Sequence, residues 1–138
     1  MERETMSDCN VCLGQECEGY NDFERRQYPI ARKEHICCEC GEAIPKGAKY
    51  EYVALKYDGE FGDFKTCLIC CELRTAFTCN DEPGYQVGIC MGELWYEIRN
   101  ELFPHMTTGC LQKIRTAEAK EFLVKRWNEW KFQQAAPR

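Results

Sequence analysis

Long apolar runs are missing from this chain, and so are most of the residues that metal-dependent catalysis uses. No stretch approaches the roughly 18 apolar residues of a bilayer-crossing helix, so no membrane span is expected. The opening Met1-Glu2-Arg3-Glu4-Thr5-Met6-Ser7-Asp8 lacks the apolar centre of a secretory leader. A cytoplasmic setting is therefore expected, in which thiols stay reduced and paired cysteines act as metal ligands. Histidine occurs only at His35 and His105. A catalytic metal centre keeps one position open for water, with His or carboxylate ligands and a general base beside it. Two histidines leave little to build one. The fingerprints of phosphate-cradling loops, dinucleotide-binding turns and serine nucleophile elbows are also absent. An enzyme is not expected.

Positive charge is scarce as well. Eighteen Lys and Arg face 23 Asp and Glu, a formal charge of −5. Residues 111–138 hold seven Lys/Arg against three Glu, a balance of +4, so residues 1–110 carry −9. A duplex-binding surface needs a basic face to displace counterions, and an acidic body does not supply one. Acidity of this kind suits a protein partner or a cationic groove.

What the chain has in quantity is cysteine, 12 in 138 residues. That density signals disulfides or metal. Cys37-Cys38-Glu39-Cys40-Gly41 supplies one Cys-x2-Cys pair and Cys67-Leu68-Ile69-Cys70 a second, with 26 residues between Cys40 and Cys67. Two such turns can set the thiolates of Cys37, Cys40, Cys67 and Cys70 around one tetrahedral Zn²⁺. Cys38 could stand in for Cys37, but two intervening residues and the following Gly41 favour Cys37.

The spacer reads as a hairpin. Pro45-Lys46-Gly47 leads out of the first knuckle, residues 48–57 are rich in aromatic and β-branched side chains, Asp58-Gly59 turns, and Phe61–Thr66 returns. The second pair opens a helix over 68–78 with an apolar stripe of Ile69, Leu73, Ala76 and Phe77, and a helix N-terminus favours thiolates. Knuckle, hairpin, then Cys-x2-Cys at a helix start is the treble-clef order. Two further amphipathic helices follow. One spans about 91–103, aligns Leu94, Trp95, Ile98 and Leu102, and stops at Pro104. The other begins between Leu111 and Thr116, runs to about Phe132, and puts Leu123, Trp127 and Trp130 on one face. The predicted fold class is α+β: a single domain over 1–138, with a cysteine-containing arm (1–30), a treble-clef zinc unit (31–78) and a helical part (79–138). Residues 1–24 read as irregular, and 26–32 as a short extended piece that Pro29 confines to an edge.

The residues that carry this pattern also resemble a known group. Ala31 to Gly41, Gly47-Ala48-Lys49-Tyr50-Glu51, Asp58-Gly59-Glu60-Phe61, Lys65-Thr66-Cys67 with Cys70, and Gly92-Glu93-Leu94-Trp95 are similar to a family of small zinc-finger-like proteins common in bacteriophages and prophages. The resemblance covers about residues 31–100. It implies a metal-stabilised fold and a phage or prophage origin, and it implies no reaction.

A third pair, Cys9-Asn10-Val11-Cys12, has Cys17 nearby. A second zinc, held by Cys9, Cys12, Cys79 and Cys90, stands against a cluster of free thiols; Cys79 and Cys90 flank a Pro/Gly loop whose ends can meet. Cys38, Cys71 and His35 stay open as other completing ligands, while Cys71 and Cys110 read as small apolar core residues. His35 has three readings: a ligand, a hydrogen-bond donor to one, or a solvated strand residue. His105 reads as surface.

Two partner classes remain. Tyr50, Tyr52, Tyr57, Phe61 and Phe64 interleave with Lys49, Lys56 and Lys65 on the hairpin, a pattern suited to stacking single-stranded nucleic acid. Strand alternation, however, sends every other ring into the core, and the −9 body opposes a polyanion. The favoured reading is a zinc-stabilised binding module acting stoichiometrically on a host or phage protein complex. Asp81, Glu82, Trp127 and Trp130 are its candidate contacts, although the two tryptophans could equally pin the last helix to the core. Its sharper form is inhibition of a host defence (CRISPR-like) nuclease complex, with carboxylates competing for a basic channel. A nucleic-acid-binding zinc-finger regulator is the alternative.

Overall fold

A computed structural model describes residues 9, 11, 13, 21–57, 59–78 and 91–135. In chain order the elements are β1 (Asn21–Gln27), β2 (His35–Ile36), β3 (Ala43–Ile44), β4 (Tyr50–Tyr57), β5 (Glu60–Cys67), α1 (Leu68–Phe77), α2 (Leu94–Glu97) and α3 (Ala117–Ala135). Strands β1, β4 and β5 form an antiparallel sheet in that order, and β2 pairs with β3 in a two-stranded ribbon. The fold is therefore α+β, with the hairpin and helix in the order the cysteine pattern predicts. Among the described residues no helix is long and apolar enough to cross a membrane.

The hairpin forms for local reasons. Tyr57 pairs with Glu60, leaving a two-residue loop in which Gly59 has φ +85°. An Asp-Gly loop meets that demand at no steric cost. Along β4 the side chains of Glu51, Val53 and Leu55 are buried on one face, alternating with half-buried Tyr52, Ala54 and Lys56. At the loop end Phe61 is 76% exposed.

The third strand departs from the sequence reading. Residues 21–24, expected to be irregular, belong to β1, which runs beside β4 from Asn21↔Tyr57 to Gln27↔Tyr52 with a bulge between Asn21 and Phe23. Asn21-Asp22-Phe23-Glu24-Arg25-Arg26-Gln27 has little strand propensity of its own. The long partner strand supplies the ladder, and Arg26 adds an ion pair to Glu51 at 2.6 Å. Pro29 follows the strand rather than sitting in it; its carbonyl accepts from Tyr50 N at 3.1 Å.

The helices pack on α1. Its buried stripe is Cys70, Leu73 and Phe77, with Ile69 and Ala76 at the margin. Helix α2 widens into a π-helical turn over Ile98–Leu102 and tightens into a 3₁₀ turn over Phe103–His105 that contains Pro104, so the expected stop is gradual. Leu94, Trp95, Ile98 and Leu102 all face the core. A further 3₁₀ turn, Thr108–Lys113, precedes α3. Helix α3 starts where Thr116 Oγ1 accepts from Ala119 N at 3.2 Å, an N-cap geometry. Glu72 of α1 fixes that start, accepting from Thr116 N at 2.9 Å and Thr116 Oγ1 at 2.7 Å.

Helix α3 is anchored as far as Trp130. Ala119 and Leu123 are fully buried, Phe122 meets Trp95 edge-on at 5.6 Å, and Trp130 reaches back to Phe103 at 5.7 Å. Beyond Trp130 every described residue is exposed. Leu123→Ala is accordingly expected to cost about 3 kcal/mol, whereas Phe132→Ala, 77% exposed, should change stability by less than about 0.5 kcal/mol. Chemical denaturation of the two variants checks the contrast.

Candidate metal centre

Three elements deliver four sulfurs to one point. The β2–β3 ribbon turns at Cys37–Gly41, where Gly41 N donates to Cys37 O at 3.0 Å and Gly41 has φ +79°. This turn carries Cys37 and Cys40. The end of β5 carries Cys67, and the first turn of α1 carries Cys70. Their sulfur atoms all lie within 4.8 Å of one another, and Cys40 Sγ and Cys67 Sγ are 3.9 Å apart. Tetrahedral Zn²⁺ with Zn–S near 2.3 Å requires S···S separations of about 3.8 Å. The spacing fits. All four cysteines that the sequence assigned to the first site are brought together. Of the two candidates in the knuckle, Cys37 is the one in the cluster.

Charge makes the same argument. Hydrogen bonds from Cys40, then Cys67 and Cys70, hold the Cys37 thiol far below its ordinary range. Cys37 in turn drives Cys67 and Cys70 far above theirs. Without a cation, the cluster can bear a thiolate only by keeping its neighbours protonated. A divalent ion replaces those protons and lets all four sulfurs ionise together. Donors already point at the sulfurs: Glu39 N and Cys67 N at Cys37 Sγ (3.4 and 3.3 Å) and Glu42 N at Cys40 Sγ (3.5 Å). With four thiolates and no open position, the site is of the closed, structural kind.

The sequence did not reveal what surrounds these ligands. Trp95 Nε1 donates to Cys70 Sγ at 3.3 Å from a different part of the chain. Arg126 of α3 donates to Cys40 O at 3.0 Å and lies over the Trp95 ring at 4.7 Å. Glu39, the residue between the knuckle ligands, has a fully buried side chain. Its carboxylate accepts from Gly92 N at 2.9 Å, Leu94 N at 3.0 Å and Arg74 Nη2 at 3.2 Å. Arg74 also holds Glu51 at 3.0 Å, and Glu51 holds Arg26. Burial raises the Glu51 carboxyl, but the two guanidiniums outweigh it and leave the group below its usual range. The only signal for Glu39 in the sequence was its place inside the knuckle.

The other candidates fall elsewhere. Cys38 turns away from the cluster to Thr66 Oγ1 at 3.4 Å, and burial raises its thiol. Burial, followed by the charge of Glu51, pushes the Cys71 thiol up to about 12. Both are packed, unreactive groups. His35 stacks on Tyr50 at 5.3 Å and is not among the four ligands; His105 is exposed.

The second ligand set needs correction at Cys9, which is bonded to Cys110 in a disulfide. Leu13 N donates to Phe77 O at 2.7 Å, docking the arm at the end of α1, and Cys9 then meets Cys110 in the buried 3₁₀ turn. Cys110 is buried as expected, but as half of a cross-link. Cys12, Cys17, Cys79, Cys90, Asp81 and Glu82 lie outside the described residues. Trp127 and Trp130 are half-buried at the margin of the core, with Lys131 Nζ over the Trp127 ring at 4.1 Å.

In comparisons with family models, with curated proteins and with solved structures, nothing matches this chain.

Cys67→Ser is expected to abolish metal binding and, with it, the circular dichroism of the hairpin and α1, because the site folds around its ion. Cys38→Ser should retain one zinc per chain in native mass spectrometry. Trp95→Phe keeps the ring packing and deletes the donor to Cys70. It should weaken zinc by about 10-fold in chelator competition.

Proposed function

We propose that this chain is a zinc-stabilised binding module that acts stoichiometrically on a protein partner and performs no reaction of its own. The closed four-thiol cluster supports the first half of this reading: a metal placed to hold the fold leaves recognition to the surface. One surface feature carries the second half. Glu93, Glu97 and Glu101 recur at four-residue spacing through α2 and the π-helical turn. Glu97 is 8% exposed, and its carboxyl is raised by burial and then by the charges of Glu101 and Glu93. None of the described cations pairs with these three carboxylates. Tyr96, 58% exposed, stands beside them. Unrelieved like charges next to an exposed aromatic ring favour a cationic partner surface, which would lower the cost of ionising Glu97.

The phage or prophage resemblance gives that partner a class. We infer a host defence nuclease complex of the CRISPR-like kind, whose nucleic-acid channel is a basic groove, in the cytoplasm of a bacterial host. The acidic body, −9 over residues 1–110, supports steering toward such a groove. The second reading, single-strand nucleic-acid binding by the hairpin, is supported by Phe61 with Lys56 Nζ 5.4 Å from its ring centre, and by Lys65 over Tyr52 at 5.6 Å.

The test is titration of a purified host nuclease complex with the zinc-loaded protein. Nuclease activity should disappear at a fixed stoichiometry. Glu93→Lys together with Glu101→Lys should weaken inhibition at least about 10-fold while zinc content stays unchanged. Absence of binding to such complexes, combined with saturable binding of a fluorescent single-stranded oligonucleotide, would establish the second reading instead.

A further inference from the structure

The three-stranded sheet has two unlike faces. Residues directly opposite each other in an antiparallel pair share a face. The register therefore puts Arg25 of β1, Tyr52 and Lys56 of β4, and Phe61, Asp63 and Lys65 of β5 on one side. The other side carries Glu51, Val53 and Leu55, all buried. Helix α1 meets that inner side, where Arg74 Nη1 donates to Glu51 Oε1 at 3.0 Å. The outer side is open: Arg25 and Asp63 are exposed, and Phe61 is 76% exposed. Among the described residues no carboxylate pairs with Arg25 or Lys56.

We propose that this outer face is an interaction surface of its own, which takes a single-stranded nucleic acid alongside whatever partner the Glu93, Glu97 and Glu101 carboxylates bind. Charge complementarity selects the occupant. Arg25, Lys56 and Lys65 stand against the single carboxylate of Asp63, three positive charges against one negative, a local balance of +2. The chain as a whole is at −5, but charges more than about 8 Å away are largely screened at physiological ionic strength. A strand lying on the sheet therefore meets the local balance. The rings decide which polyanion. Lys56 Nζ lies 5.4 Å from the Phe61 ring centre and Lys65 Nζ 5.6 Å from that of Tyr52. Each ring thus offers a stacking surface with a cation beside it for the adjoining phosphate. Phe61 lies opposite Lys56, four residues along β4 from Tyr52, so the two rings sit about 14 Å apart along the strands. That separation suits two bases of one extended strand. A duplex keeps its bases stacked on each other and cannot present them to Phe61. Asp63 opposes the phosphates, and it also steadies the site, accepting from Tyr52 Oη at 3.2 Å and pairing with Lys65 Nζ at 3.9 Å. Bases and phosphates are common to DNA and RNA, and the face takes the chemistry they share.

Fluorescence anisotropy tests the proposal, with the zinc-loaded full chain titrated into labelled oligothymidine and oligouridine of about 15 nucleotides and into a duplex of equal length. Saturable binding to a single strand is expected, tighter than to the duplex. Three cations predict a slope of about −2 for the logarithm of the binding constant against that of salt. Phe61→Ala should weaken binding at least about 5-fold. Lys56→Gln should reduce the slope by about 0.7, and Asp63→Asn should strengthen binding at least about 2-fold. Each variant should keep the wild-type zinc count in native mass spectrometry, which shows that the fold is intact. Binding of either oligomer alone supports the surface and names the sugar it takes. The proposal is overturned by absence of single-strand binding at low salt, or by equal affinity for the duplex. Binding indifferent to both Phe61→Ala and Lys56→Gln also overturns it; loss with Lys131→Gln instead would place the strand on α3.

Discussion

Four sulfurs held within 4.8 Å of one another cannot all ionise without a cation between them, and the rest of the structure is arranged around that constraint. The cluster joins the β2–β3 ribbon, the end of the hairpin and the start of α1. Its influence reaches further through two contacts. Trp95 binds Cys70 from α2, and Arg126 binds the carbonyl of Cys40 from α3. The helical part is therefore docked on the ligands themselves. Structural zinc contributes folding free energy directly, so an ion bound at this cluster would support both halves together.

The buried ion network depends on the same geometry. Glu39, Arg74, Glu51 and Arg26 link the knuckle, α1, β4 and β1, and Arg74 leaves its buried Nε without a partner. Desolvating such groups is costly, and a network of this kind is poor evidence of net stability. Its effect is positional. Glu39 can cap the start of α2 and meet Arg74 only while the knuckle holds its backbone in place. A metal bound to the cluster would fix Glu39, and Glu39 fixes the entry of the helical part. A change at this carboxylate would thus loosen the metal centre from outside the ligand set.

Much of this arrangement was legible in the sequence because its signals are local. Cys-x2-Cys spacing, the Asp-Gly loop and the stripe of Leu73 and Phe77 each follow from a few neighbouring residues. What stayed hidden depends on distant partners. Strand β1 is polar and pairs only because β4 offers a long edge. Glu39 looked like filler between two ligands, since its three partners come from residues 74, 92 and 94. Cys110 matched the pattern of a buried apolar cysteine, and nothing near it in sequence announces Cys9. The second zinc set that the sequence suggested failed at Cys9, because Leu13 docks on α1 and Cys9 joins Cys110 in the core.

Two sulfur chemistries with opposite redox preferences therefore share one helix. The cluster at the start of α1 is stable as thiolates around a divalent ion, whereas the bond near its end exists only when two thiols have been oxidised. Burial separates them: Cys37 and Cys70 are almost wholly enclosed, and Cys38 and Cys71, the thiols closest to the cluster in sequence, are held protonated by burial. An oxidant that reaches the arm meets no ionised free thiol on these neighbours. The cluster can then take a metal ion while Cys9 and Cys110 stay joined in the same fold.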